Sequence, residues 1–105
     1  MKESTLVDNI RKALKAKGVK AIKNHGNQYM RAGEPDILGC IPHSVIIDGM
    51  PFFYGQFLAL EVKRDEKSKP TALQLKRLKE WQEAGAVTAV VYSVASALAV
   101  VEGEK

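Results

Sequence analysis

The sequence has little that would tie it to an oxidising compartment or to a membrane. Among its 105 residues there is one cysteine, Cys40, so no internal disulfide can form. No apolar run approaches the roughly 18 residues needed to cross a bilayer. The most apolar stretch, Ala84–Val101, is interrupted by Gly85 and by Tyr92-Ser93. The first residues, Met1-Lys2-Glu3-Ser4-Thr5, lack the apolar segment of a secretory signal, which sets the expectation of a reducing, cytoplasmic protein. No internal repeat, low-complexity segment or linker interrupts the chain. The two histidines, His25 and His43, have no His/Cys partners at zinc spacing. Basic and aromatic residues do not interleave in a base-stacking pattern.

What is present is ordinary in bulk and informative in detail. Hydrophobic residues make up 46% and charged residues 27%, the balance of a folded soluble protein and not of a disordered one. The length fits one domain over residues 1–105, with a core small enough that a dimer interface would add usefully to it. Sixteen Lys and Arg against twelve Asp and Glu leave a formal charge of +4, which favours a polyanionic partner such as nucleic acid.

Leu6, Val7, Ile10, Ala13 and Leu14 recur at helical spacing, predicting an amphipathic helix over Ser4–Lys17 that Ser4 or Thr5 caps and Gly18 ends. Ala21–His25 reads as a strand, and the polar Gly26–Glu34 as a loop. Pro35–Ile41 reads as a buried strand, since proline is tolerated at a strand's first residue. Ser44–Ile47 and Phe52–Tyr54 flank Asp48-Gly49, a hairpin signal, and this apolar hairpin should project from the domain. Phe57–Lys63 alternates, with Leu58, Leu60 and Val62 on one face and Phe57, Ala59, Glu61 and Lys63 on the other. After the charged Arg64–Lys69 loop, a helix starts at Pro70-Thr71, carries Leu75, Leu78 and Trp81, and stops at Gly85. Ala86–Tyr92 reads as a central strand, and Ser93 caps a last helix to about Glu102. Cys40 is expected in the core. The fold class is α/β: a mixed sheet covered by helices, in the order α-β-β-β-α-β-α with an extra hairpin.

Three residues stand out chemically. Asp36 opens a buried strand directly after a proline, and Glu61 and Lys63 share one face near the end of the most apolar strand. Carboxylates pressed against a core need a cation, a hydrogen-bond network or a proton, and one lysine cannot neutralise two of them. A divalent ion held by Asp36, Glu61 and a backbone carbonyl would do so, and all-oxygen ligation suits Mg²⁺ or Mn²⁺. Such an ion also supports phosphodiester hydrolysis, with Lys63 placed to orient or deprotonate a water or to stabilise the transition state. The bland alternative is a same-face Glu–Lys pair on a solvated strand and an aspartate that only starts a strand.

Together, Gly33-Glu34-Pro35-Asp36, then Glu61-Val62-Lys63, then Gln74 on the following helix resemble the PD-(D/E)XK nuclease superfamily, and within it the VRR-NUC family. The likeness runs from Glu3 to about Val101. It implies a restriction-endonuclease-like core in which Asp36, Glu61, the Val62 carbonyl and Glu3 hold Mg²⁺ or Mn²⁺, Lys63 is the catalytic lysine and Gln74 braces the site. Read without the family, Glu3 would serve the helix dipole and Gln74 a solvated helix. The resemblance further implies a homodimer of phage or bacterial type that cuts branched DNA such as Holliday junctions. The alternatives are a flap, end or duplex nuclease working with a helicase partner, and a non-catalytic nucleic-acid-binding module. Lys23, His25, Arg31, Lys67, Lys69, Lys76 and Arg77 flank the site and are candidates for contacts to the DNA backbone.

Overall fold

The computed structural model describes residues 1–24 and 31–103, so His25 and part of the loop expected after it lie outside the described residues. The first helix, α1 (Glu3–Ala16), buries Leu6, Val7, Ile10 and Leu14 along one stripe. It begins one residue before the expected serine. Lys2 occupies the N-cap position without a side-chain cap, and Ser4 and Thr5 fall inside the first turn, where Glu3 complements the positive end of the helix. Gly18, at φ +82°, turns the chain out of the helix as the sequence suggests.

Four strands follow: β1 (Lys20–Lys23), β2 (Ile37–Ile47), β3 (Met50–Val62) and, after helix α2 (Ala72–Glu83), β4 (Val87–Val91); α3 (Val94–Val101) closes the chain. They form one mixed sheet in the order β1-β2-β3-β4, antiparallel except for the β3–β4 pair. The element order and fold class are those expected from the sequence. Three details differ.

The first strand ends at Lys23, not His25. The hairpin is no separate insertion: it is the distal half of β2 and β3, whose pairing runs unbroken from Ile37–Leu60 to Ile47–Met50. Pro42 and Gly55, which suggest breaks in the sequence, face each other in register and are absorbed into the ladder. Asp48 (φ 52°) and Gly49 (φ 78°) make the tight turn, as two left-handed residues require. The third difference is β4, which is an edge strand. Its β-branched run reflects helices above and below it, since α2 and α3 both pack on β4.

Alternation along β3 divides the core. Leu58, Leu60 and Val62 join Ile37, Ile41 and Val91 against Leu6, Ile10 and Leu14 of α1 and Ala97 of α3. The opposite face meets α2, where Trp81 stacks on Phe57 at 4.8 Å. Cys40 stands next to Phe57 on that face and is exposed, contrary to the core position expected for it. Its side chain lies over Gly55, so nothing larger fits beneath it. No helix among the described residues is long and apolar enough to cross a membrane.

Candidate active site

The site is made by register. In the β2–β3 ladder Ile37 pairs with Leu60, so the next step sets Asp36 opposite Glu61 on the face that α2 covers. The Asp36 carboxylate accepts a hydrogen bond from the Val62 amide at 2.8 Å, which ties the end of the 33–36 loop to β3. The backbone around Asp36 is clamped from β1's side: the Asn24 amide donates to the Asp36 carbonyl at 2.8 Å, and the Asn24 side chain donates to the Pro35 carbonyl at 3.0 Å. Asn24 is a positioning residue that sequence reasoning missed. Asparagine's habit of bonding neighbouring backbone was its only signal.

Further contacts hold the same loop to α2. Gly33 sits at φ +82° with Leu73 so close that an added Cβ would lie 2.8 Å from the leucine Cγ. This accounts physically for glycine in the Gly-x-Pro-Asp sequence. Trp81 donates from Nε1 to Glu34 at 3.1 Å, and Arg77 donates from Nε to the Ala32 carbonyl at 3.2 Å.

Glu61 is the one charged residue in the buried core, at 1% exposure. Its Oε1 is buried with no hydrogen-bond partner among the described residues. Lys63 returns to the same face and brings its Nζ to 3.7 Å from Glu61 Oε2, with its side chain 12% exposed. Burial pushes the Glu61 carboxyl up from 4.5 to about 8; the Asp36 charge and a hydrogen bond to Asp36 add to this, Lys63 opposes it and Glu3 adds a little. Glu3, at the start of α1, therefore faces the site. Among the described residues, however, no three Asp, Glu, His or Cys side chains close into one metal-holding group. The acidic set in direct apposition is the pair Asp36 and Glu61.

The remaining candidates are placed as follows. Gln74 completes a capping box at the start of α2: its Oε1 accepts from the Thr71 amide at 2.9 Å, and its own amide donates to Thr71 Oγ1 at 3.1 Å. Arg77 is turned inward onto the 32–34 loop and Glu80, and Arg31 bonds Glu80 at 3.1 Å, so both have protein partners here. Lys67, Lys69 and Lys76 are exposed, and Lys23 is half-buried at the end of β1.

Neither a family model nor a curated protein matches the chain. Solved structures do. One described as a VRR_NUC domain superposes with a TM-score of 0.69 at 25% identity, over 98% of this chain and 97% of that one. A second, a VRR_NUC domain protein, gives 0.68 at 17% identity over 97% of this chain and 86% of that one, a likeness of fold. The chain folds as a VRR-NUC domain. Its sheet, three helices and whole-length coverage agree with the restriction-endonuclease-like class, a nuclease-type fold. Within this VRR-NUC domain the Asp36–Glu61–Lys63 cluster occupies the end of the β2–β3 ladder, opposite to the hairpin tip.

The donor chemistry suits a hard divalent cation. Two carboxylates share a desolvated spot with one ammonium, and a carboxylate oxygen there has no hydrogen-bond partner. That is a surplus of negative charge and of oxygen lone pairs, the ligand type that Mg²⁺ and Mn²⁺ take.

Proposed function

We propose that this chain is a Mg²⁺- or Mn²⁺-dependent endonuclease that hydrolyses DNA phosphodiester bonds, with branched structures such as four-way junctions as its substrate. The observation that supports this most directly is the buried Glu61 carboxylate, with one oxygen unpartnered, set opposite Asp36 and 3.7 Å from the Lys63 ammonium. Asp36, Glu61 and the Val62 carbonyl would hold the ion, with Glu3 adding negative charge. When bound, the ion supplies positive charge to the reacting phosphate and acidity to a nearby water.

The chain's own groups do the rest. Asp36 is fixed by the Val62 amide, so its orientation is set before any ligand arrives. Lys63 is mostly shielded from solvent, which strengthens its attraction for the charge that develops on the phosphate in an in-line displacement. Gln74 reinforces the start of the helix that covers this face. Lys23, Lys67, Lys69 and Lys76 extend positive charge around the site and would follow the DNA backbone without reading bases.

The test is a panel of end-labelled DNAs, comprising four-way junction, flap, nicked and linear duplex, incubated with purified protein in Mg²⁺ and in Mn²⁺. Paired nicks in the junction are expected, and Lys63→Ala should abolish them while the circular dichroism spectrum stays unchanged. Preferential cutting of flaps or ends would replace the junction assignment. Cutting that survives Lys63→Ala, or no cutting of any substrate in Mn²⁺, would overturn the nuclease reading.

A further inference from the structure

The ladder of β2 and β3 outruns the rest of the sheet. β1 pairs with β2 only from Ile37 to Cys40, and β4 pairs with β3 only from Leu58 to Val62. Beyond these limits, from about Ile41 to Phe57, the two strands form a free ribbon, and the molecule measures 46 × 26 × 26 Å. A two-stranded ribbon alone in water is marginally stable at best. This one is also unusually apolar at its surface.

Cross-strand partners share a face, so His43–Tyr54, Val45–Phe52 and Ile47–Met50 form one continuous stripe, the outward extension of the face that carries Ile41, Leu58 and Leu60 in the core. Along that stripe Val45 is 42% exposed, Ile47 52%, Met50 62%, Phe52 51% and Tyr54 53%. His43 is held at its base by stacking on Tyr54 at 5.0 Å and by a 3.0 Å hydrogen bond with Gln56.

Composition and area decide what this stripe fits. From Ile41 to Gln56 the only formally charged side chain is Asp48, and all sixteen lysines and arginines lie elsewhere. A surface without cations does not neutralise phosphates, which argues against DNA as its occupant. Pro42 and Pro51 remove donors from the two strands, and proline in a strand is tolerated where its nitrogen points to the outer edge. Addition of a further strand along the edges is thereby discouraged, leaving the face. The five large side chains of the stripe expose on the order of 600 Å² per chain, so two copies packed face to face would remove about 1,200 Å², the lower end of the range for a specific protein–protein interface. The stripe also lacks like charges that would repel a second copy of itself, as a two-fold interface requires.

We infer that the Val45–Ile47–Met50–Phe52–Tyr54 face of the hairpin is an isologous dimer interface, occupied by the same face of a second copy of this chain. The inference is independent of the nuclease reading, because it rests on the ribbon alone. Asp48 at the tip stays outside the apolar contact, and Phe53, 81% exposed on the opposite face, is not part of it.

Sedimentation equilibrium at 5 to about 200 µM in moderate salt tests this. The wild-type chain, 11.5 kDa as a monomer, should sediment at about twice that mass. Val45→Lys and, separately, Phe52→Ser should return it to the monomer, while Phe53→Ser should leave the dimer intact. Both substituted sites are exposed ribbon positions, and unchanged thermal melting of the core would verify the fold. A wild-type monomer throughout would overturn the inference, as would a dimer that withstands both face substitutions. Loss of the dimer in Phe53→Ser alone would move the interface to the other face and equally refute this one. A monomer whose affinity for duplex DNA falls several-fold on Phe52→Ser would assign the ribbon to DNA instead.

Discussion

Lys63 Nζ lies 3.7 Å from Glu61 Oε2, yet this single cation does not offset the burial of Glu61 and the neighbouring Asp36 charge. The result is a carboxyl that titrates at about 8 instead of 4.5. The consequence for stability has a definite sign. Between those two values the folded chain retains a proton that the unfolded chain has released, so folding is favoured at the acid end and weakened as pH rises towards 8. The loss is at most about 1.4 kcal/mol per pH unit. In metal-free buffer the melting temperature should therefore fall from pH 5 to pH 8 and level off above it. Glu61→Gln, which keeps the shape and removes the titration, should flatten that slope. A wild-type slope of the opposite sign, or one unchanged in Glu61→Gln, would show that other groups control it.

The same group predicts how divalent ions act on the folded chain. Oxygen ligands must be deprotonated to bind a metal, so the ion competes with the Glu61 proton. Millimolar Mg²⁺ or Mn²⁺ should raise the melting temperature, and by more at pH 9 than at pH 6. Glu61→Gln should lose most of the effect. Thermal denaturation with and without chelator reads both, and an equal rise at the two pH values would mean that the ions bind elsewhere.

How much of this was legible in the sequence can be judged from particular residues. The Gly33–Asp36 and Glu61–Lys63 segments, the Asp48-Gly49 turn and the Thr71 and Ser93 caps are local signals, fixed by conformational preference or by period-two alternation, and they survive in the structure. Registration was not legible: that Asp36 meets Glu61 follows from Ile37 pairing with Leu60, and a slip of one residue would turn every side chain to the other face. Hence the sequence names the acidic residues but not their apposition, nor the burial that raises the Glu61 pKa. Pro42 and Gly55 mislead for a related reason, since each looks like an end of a strand until the two are seen to face each other. Asn24, and the inward turn of Arg77 towards the Ala32 carbonyl, depend on long-range proximity that no local pattern encodes.

Asp36 has two separable duties, as acceptor for the Val62 amide and as a charge beside Glu61. Asp36→Asn retains an oxygen that can accept at the same place, whereas Asp36→Ala leaves the amide without its partner, at a cost of about 1–3 kcal/mol. Asn should thus be the more stable variant by that margin. Both should lower the Glu61 pKa, because both remove the neighbouring negative charge. Chemical denaturation measures the first difference and carbon-detected NMR of the carboxyl the second; a Glu61 pKa unmoved in either variant would contradict the pairing.

Gly33 is held at φ +82° against Leu73, so Gly33→Ala meets two penalties: a left-handed backbone at a residue with a Cβ, and a close approach to the leucine side chain. The first alone costs roughly 1–2 kcal/mol. The second should be relieved by Leu73→Ala, which trims a side chain already 37% exposed. The single variant should melt several degrees below wild type, and the double variant should recover part of the loss but not all of it. Full recovery would mean that the backbone conformation is unstrained, and no recovery that the leucine contact is irrelevant.

Gln74 raises the question of whether its side chain serves the helix start or the reaction. Thr71 and Gln74 exchange reciprocal hydrogen bonds, at 3.1 and 2.9 Å, so removing either side chain opens the capping box. Thr71→Ala should cost about 1 kcal/mol of stability, and Gln74→Ala no more than that. Their effects on turnover should part company. If the Gln74 amide nitrogen, which has no hydrogen-bond partner among the described residues, braces the Asp36–Glu61–Lys63 cluster, Gln74→Ala should slow DNA cutting at saturating Mg²⁺ by 10-fold or more, a loss of about 1.4 kcal/mol in transition-state stabilisation. Thr71→Ala, equally loosened at the helix start, should cut at close to the wild-type rate. Equal rates in the two variants would confine Gln74 to the cap, because a purely structural defect would reach the site from either partner.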